Sequence, residues 1–215
     1  MAFVFKRYSD FPKFRLPSQF LLAFSGNAPL LFIGMLFDKQ TTGQLGLALT
    51  TLALPMALFG NTTGRAYYAE IAKIGRKNPE QIRQITKSVT KKLFLVSIPP
   101  LLLLLLAGPW MFTIVFGEVW IKAGEFARIL AVYLVAQFVT SPLVNALNVF
   151  EKQHIFLKIN IYRSILMLII FGISYAMMLS SYKTILIYSI FMTFHYCFTS
   201  FQIYKVIDQA IKQQR

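Results

Sequence analysis

Apolar residues in this chain gather into six stretches, near residues 16–37, 42–64, 93–116, 127–150, 155–178 and 183–204, with polar or charged gaps between them. Each stretch holds about 20 residues, the length that carries an α-helix across roughly 30 Å of hydrocarbon. A backbone in lipid must satisfy its own polar groups, so runs of this length predict six transmembrane helices. The interruptions are informative too. In the first span Ser25, Gly26 and Asn27 precede Pro29. In the second, Pro55 lies ahead of Gly60-Asn61-Thr62-Thr63-Gly64, and in the fourth Thr140-Ser141-Pro142 is followed by Asn145 and Asn148. Proline removes a backbone donor, and small or polar neighbours can satisfy the carbonyl it frees. Pro29, Pro55 and Pro142 are therefore expected helix bends, of the kind that line polar paths in transporters. Ordinary close packing of helices would use the same small residues.

The other spans read differently. The third begins at Pro99-Pro100, runs through Leu101 to Leu106 and reaches Gly108-Pro109-Trp110. Its leucines leave no polar face, so it is expected to face lipid, with Trp110 and Trp120 near the outer interface. The fifth and sixth spans are rich in Ile, Met, Phe and Tyr and are expected at the periphery. The longest connection, 65–92, contains Asn78-Pro79, a turn signal and a helix start. Glu80 to Lys92 then reads as a basic helix whose Ile82, Ile85 and Val89 form one apolar stripe. Such a helix is expected to lie on anionic lipid; the same cations would also attract a phosphate-bearing substrate.

Charge orients the bundle. Of the 22 Lys and Arg, 18 gather at alternate junctions: before the first span, between the second and third, around the start of the fifth, and after the sixth. By the positive-inside rule these gaps and both termini are cytoplasmic. The reading is an all-α polytopic membrane protein with an N-terminal segment 1–15, a bundle 16–204 and a cytoplasmic tail 205–215. Composition agrees, with 56% hydrophobic residues, 14% charged residues and a mean hydropathy of +0.58. The formal charge of +14 follows topology, which makes membrane lipids the partner and excludes nucleic acid. The segment before Leu16 has no apolar core or cleavage site of a signal peptide, so the first span is expected to serve as the insertion signal. The single cysteine, Cys197, reads as a small residue in the sixth span.

Catalytic chemistry is sparse. None of the eight acidic residues lies deep in a span. Glu118 and Glu125 share one external loop with Lys122 and Arg128; a carboxylate pair can do acid/base work, but a solvated loop of mixed charge is the simpler reading. His154 and His195 have no ligand partners at metal spacing, and neither a Walker A pattern nor GxGxxG is present. No enzyme activity, metal or cofactor is expected. His195 is read as a neutral, hydrogen-bonded residue of a peripheral helix. Arg65 and Arg128 remain open: a guanidinium at either place can hold an anionic head group or snorkel to the interface.

Two stretches go beyond composition: Phe11-Pro12-Lys13-Phe14-Arg15-Leu16-Pro17-Ser18, and the run from Phe116-Gly117-Glu118-Val119-Trp120 through Gly124-Glu125-Phe126-Ala127-Arg128 to Leu130. With Gln137-Phe138, Ser141-Pro142-Leu143 and Glu151-Lys152-Gln153, they resemble the C-terminal half of bacterial polysaccharide flippases. These belong to the multidrug/oligosaccharidyl-lipid/polysaccharide exporter superfamily, and the likeness is greatest to Wzx-type O-antigen translocases. It covers most of residues 8–155. The resemblance implies one half of a two-bundle transporter in the bacterial inner membrane. It also implies an undecaprenyl pyrophosphate glycan as lipid-linked substrate and a partner in the form of an N-terminal half or a second copy. Asn27, Thr50, Asn61, Arg65, Asn145 and Asn148 are the cavity residues on this reading. Two departures stand out: the family often has Arg where this chain has Thr50, and a neutral residue where it has Arg65. A cation-coupled drug exporter would need buried acids, which are missing from the spans; a remnant without transport activity is the other alternative.

Overall fold

The computed structural model describes the backbone of residues 10–214 and side chains from residue 14 onward. Lys6, Arg7 and most of the 1–15 segment therefore lie outside the described residues. Among the described residues six helices are long and apolar enough to cross a membrane. We number the helical pieces α1 Asp10–Leu36, α2 Lys39–Pro55, α3 Asn61–Ile74, α4 Pro79–Phe116, α5 Ile121–Thr140, α6 Ala146–Val149, α7 Gln153–Ala176 and α8 Ser181–Gln214. The second span is α2 and α3 joined by a π-helical turn, Met56–Gly60; the fourth is α5 and α6 joined by a 3-10 turn, Ser141–Asn145.

Polar chemistry sets the starts. Asp38 caps α2: its Oδ1 accepts from the Thr41 amide at 2.6 Å and its Oδ2 from the Thr41 hydroxyl at 2.9 Å. Those bonds favour the ionised form and hold the Asp38 carboxyl below its usual value. Asn78 caps α4 through its Oδ1 and the Gln81 amide, with Pro79 in the first turn. From there α4 runs without a break for 38 residues, so the basic connection and the third span are a single rod. Its stripe does not lie on lipid. Ile82 is fully buried, and Ile82, Ile85 and Val89 pack with Tyr67, Ile71, Ile203 and Ile207 in an apolar core at the basic end.

The fourth span is the axis of the molecule, packing against α2, α4 and α8, while α7 packs against α1 and α8. Hydrophobicity does not drive helices together in lipid, so close approach and interhelical hydrogen bonds must do it. Gly108 and Gly124 let α4 and α5 cross with backbones nearly touching. Ser189 donates to the Ile129 carbonyl at 2.7 Å, and the Thr140 and Ser200 hydroxyls are hydrogen-bonded to each other at 2.8 Å. One apolar core, with Phe126, Leu130, Met167 and Met192, occupies the half toward Trp120; the other lies toward the termini.

The expectation that the fifth and sixth spans are peripheral is overturned. Of their apolar windows 44% is buried, against 17–22% in the first three spans. Small and hydroxylated residues (Ser164, Ser174, Thr184, Ser189 and Thr199) are buried on them and let neighbours come close. His195 and Arg163 are buried with them, so His195 does not belong to a peripheral helix. The leucine run of α4 does face outward, with Leu102, Leu103 and Leu106 exposed.

The two ends agree with the charge pattern. Arg76 pairs with Glu151 and donates to the Val149 carbonyl, and Arg83 meets Asp208 at 2.6 Å, all at the end that holds α1's start and α8's finish. These pairs are half-exposed and each contributes at most about 1 kcal/mol. At the opposite end Gln44, 2% exposed, clamps two helices: its Nε2 donates to the Val119 carbonyl at 2.6 Å and its Oε1 accepts from the Ala123 amide at 2.8 Å. Gln44→Leu leaves both backbone groups unpaired, and we expect it to destabilise the protein by about 1–3 kcal/mol. Thermal unfolding in detergent measures it; an unchanged midpoint rejects the clamp.

Candidate functional site

Proline in the second and fourth spans coincides with a change of helix type, and these two breaks face each other. Pro55 ends the α-helical part of the second span and the π turn follows; Pro142 sits inside the 3-10 turn. Short stretches of either geometry recur at functional sites because the backbone ladder is already interrupted there. Pro29, in contrast, lies inside an unbroken α1.

Between the two breaks opens a groove of about 520 Å³. Asn61, Arg65 and Tyr68 line it from α3, and Gln137, Ser141 and Asn145 from the fourth span. Asn145 Nδ2 donates to the Gly64 carbonyl at 3.3 Å and to the Pro142 carbonyl at 3.1 Å, which ties the two breaks together. Arg65 is exposed in the groove and has no ion pair among the described residues. The lining is thus cationic and rich in amides and hydroxyls, suited to phosphate and sugar hydroxyls.

A second groove of about 280 Å³ continues from the first and shares Met56 and Phe138 with it. Its walls are apolar: Leu52, Pro55 and Phe59 on one side, Pro100, Leu101 and Leu104 on another, Leu134 and Val135 at the back. A polar trough and an apolar trough therefore meet side by side at membrane depth.

Of the cavity residues expected from sequence, Asn61, Arg65 and Asn145 line one groove. Asn148 instead accepts from Arg15 Nη1 at 3.1 Å. Asn27 and Thr50 are exposed on α1 and α2, away from it, and Asn27 spends its amide on the Ala23 carbonyl. The external charges are likewise dispersed. Glu118 is exposed in a 3-10 turn, Glu125 accepts from the Tyr182 hydroxyl, and exposed Arg128 reaches the Leu106 carbonyl at 3.5 Å. Sequence reasoning had Gln137 and Ser141 only as parts of motifs; their position beside a proline inside an apolar span was the available signal.

The profile of a family described as polysaccharide biosynthesis protein matches residues 3–125, more than half of the chain. The chain is a member of the polysaccharide biosynthesis protein family. It is also similar to the teichuronic acid biosynthesis protein TuaB of Bacillus subtilis, with 28% identity over 146 residues. That alignment covers 66% of this chain and 30% of TuaB, so the chain spans less than a third of that relative's length. No solved structure matches. The membership places the grooves in a multi-pass membrane protein of a polysaccharide biosynthesis family. The resemblance to polysaccharide flippases read from the sequence agrees with this membership.

Proposed function

We propose that this chain is a translocating half-bundle. It would move a lipid-linked oligosaccharide, an undecaprenyl pyrophosphate glycan, from the inner to the outer leaflet of the bacterial inner membrane. The observation that carries this reading is the junction of the two grooves. A phosphorylated sugar head finds Arg65, Asn61, Gln137 and Asn145 in one trough, and an isoprenoid chain finds leucines and prolines in the next. An amphiphile needs both surfaces at once, and moving its head through hydrocarbon requires a polar lining. The basic end of the bundle faces the cytoplasm on this reading, so Arg65 stands near the side where the substrate is made. A second six-helix unit, from the same chain type or an N-terminal half, closes the trough. Rocking of the two against each other exposes it alternately.

The Arg65→Ala variant tests this reading. In cells that depend on the transporter for surface polysaccharide, it should lower surface glycan about tenfold or more, the effect of losing one charge-assisted contact. Membrane levels of the protein should be unchanged. Normal glycan at normal protein level rejects the groove as the head-group site.

A further inference from the structure

Between the two apolar cores lies a second chamber of about 310 Å³, separate from the head-group groove and walled by α1, the fourth span, α7 and α8. Arg163 stands on its inner wall and is 5% exposed. As the eleventh residue of α7, it sits roughly 15 Å along the helix from its start. A buried charge at that depth needs a partner, and intramembrane ionisable residues mark functional paths. Among the described residues no acidic side chain lines the chamber. The Arg163 guanidinium lies among neutral tyrosines: it interacts with the Tyr196 side chain, whose ring centroid is 5.7 Å from Cζ, and Tyr133, on which Tyr196 packs, and Tyr188 stand close by. Rings attract a cation but carry no countercharge.

Two polar atoms here are left over. Arg163 Nε and Gln137 Oε1 are both buried without a hydrogen-bond partner among the described residues, and both residues line this chamber. Two neighbouring polar groups are turned to backbone carbonyls. Asn160 donates to the Phe156 carbonyl, and Thr199 donates to the His195 carbonyl. At the mouth Arg15 lies 4.5 Å above the Phe156 ring and donates to Asn148. Two guanidiniums thus mark one path from the basic end to mid-bundle, with one unused donor and one unused acceptor at its inner part.

We propose that this chamber is a phosphate-binding site, held by Arg163 and Arg15. A protonated phosphate is both an acceptor for Arg163 Nε and a donor to Gln137 Oε1, and it supplies the negative charge that the site lacks. Gln137, Ser141 and Asn145 line both this chamber and the groove. An occupant therefore presses on the 3-10 turn that forms the groove's wall. The assignment does not depend on what the groove carries.

Thermal unfolding of the purified chain in detergent tests it, with inorganic phosphate and a polyprenyl phosphate as separate ligands. A rise in midpoint with inorganic phosphate assigns the site to a free anion; a rise with the polyprenyl phosphate alone assigns it to a lipid head group. In either case binding should weaken about tenfold or more in R163Q and in R15Q, survive largely in R163K, and persist in R65Q. Should R163Q fail to fold, Q137L and R15Q carry the same comparison. No rise with either ligand overturns the proposal. So does binding undiminished in the chamber variants, and loss in R65Q alone moves the phosphate to the groove.

Discussion

Gly124→Ala should leave little folded protein, although it adds one methyl group. A Cβ built on Gly124 falls 2.5 Å from Pro109 Cα, 2.7 Å from the Gly108 carbonyl oxygen and 2.9 Å from Pro109 N. All three are backbone atoms of α4, which no rotamer change can move aside. Relief requires α4 and α5 to separate along the tightest contact of the fold. Overpacking of a core costs about 1–3 kcal/mol, and a clash with backbone on both sides of a crossing belongs at the upper end. In lipid the loss is compounded, because close packing is the principal force holding spans together. Gly172→Ala is the matched control. Its Cβ meets nothing within 4 Å on an exposed face of α7, so better helix propensity should leave stability unchanged or raise it by up to about 1 kcal/mol. The monodisperse fraction after extraction and graded heating distinguishes them. Equal survival of both variants refutes the assignment of Gly124 as the crossing point.

What was legible in the sequence was whatever depends on transfer from water to lipid. Span number and the common end of the basic gaps follow from length and charge alone, and the helix start at Asn78-Pro79 follows from its turn and capping chemistry; the cap at Asp38 was there to be read and was not used. Which face of each span meets protein was much less legible. Solvent outside the bundle is as apolar as the interior, so Ile, Met and Phe on the fifth and sixth spans carry no inside–outside signal. Their buried serines and threonines carried it instead. Arg163 shows the same limit in another form. It lies inside the apolar run 155–178, yet its sign suits the basic gap beside it, so tallying charge absorbs it into topology. Only packing reveals that it has left the interface. For the groove, proline marked the breaks at Pro55 and Pro142, but the pairing of those breaks is a tertiary fact. Asn27 beside Pro29 has the same local pattern and lies elsewhere, on an unbroken helix.

On the proposed function, filling the junction of the two grooves should stop transport while leaving the fold intact, and Gly60 is the position at which to do it. It closes the π turn, lines the polar groove, and stands beside Phe138, which both grooves share. A Cβ at Gly60 comes no closer than 3.8 Å to the Phe138 ring, an ordinary contact. Gly60→Ala should therefore be silent in both stability and surface glycan. Gly60→Trp places an indole against Phe138, where an amphiphile would have to bend from polar to apolar surface. The groove opens outward, so the ring can enter without forcing helices apart. On that geometry the Trp variant should accumulate to normal levels and unfold at the normal temperature, with surface polysaccharide reduced at least as far as in Arg65→Ala. The two variants act on different terms: loss of charge weakens capture of the head, whereas the indole obstructs passage of any ligand that uses both troughs. Raising substrate supply should partly restore export in Arg65→Ala and not in Gly60→Trp. Restoration in both would mean that Gly60 does not border the path, and the substrate would then have to cross along another face of the bundle.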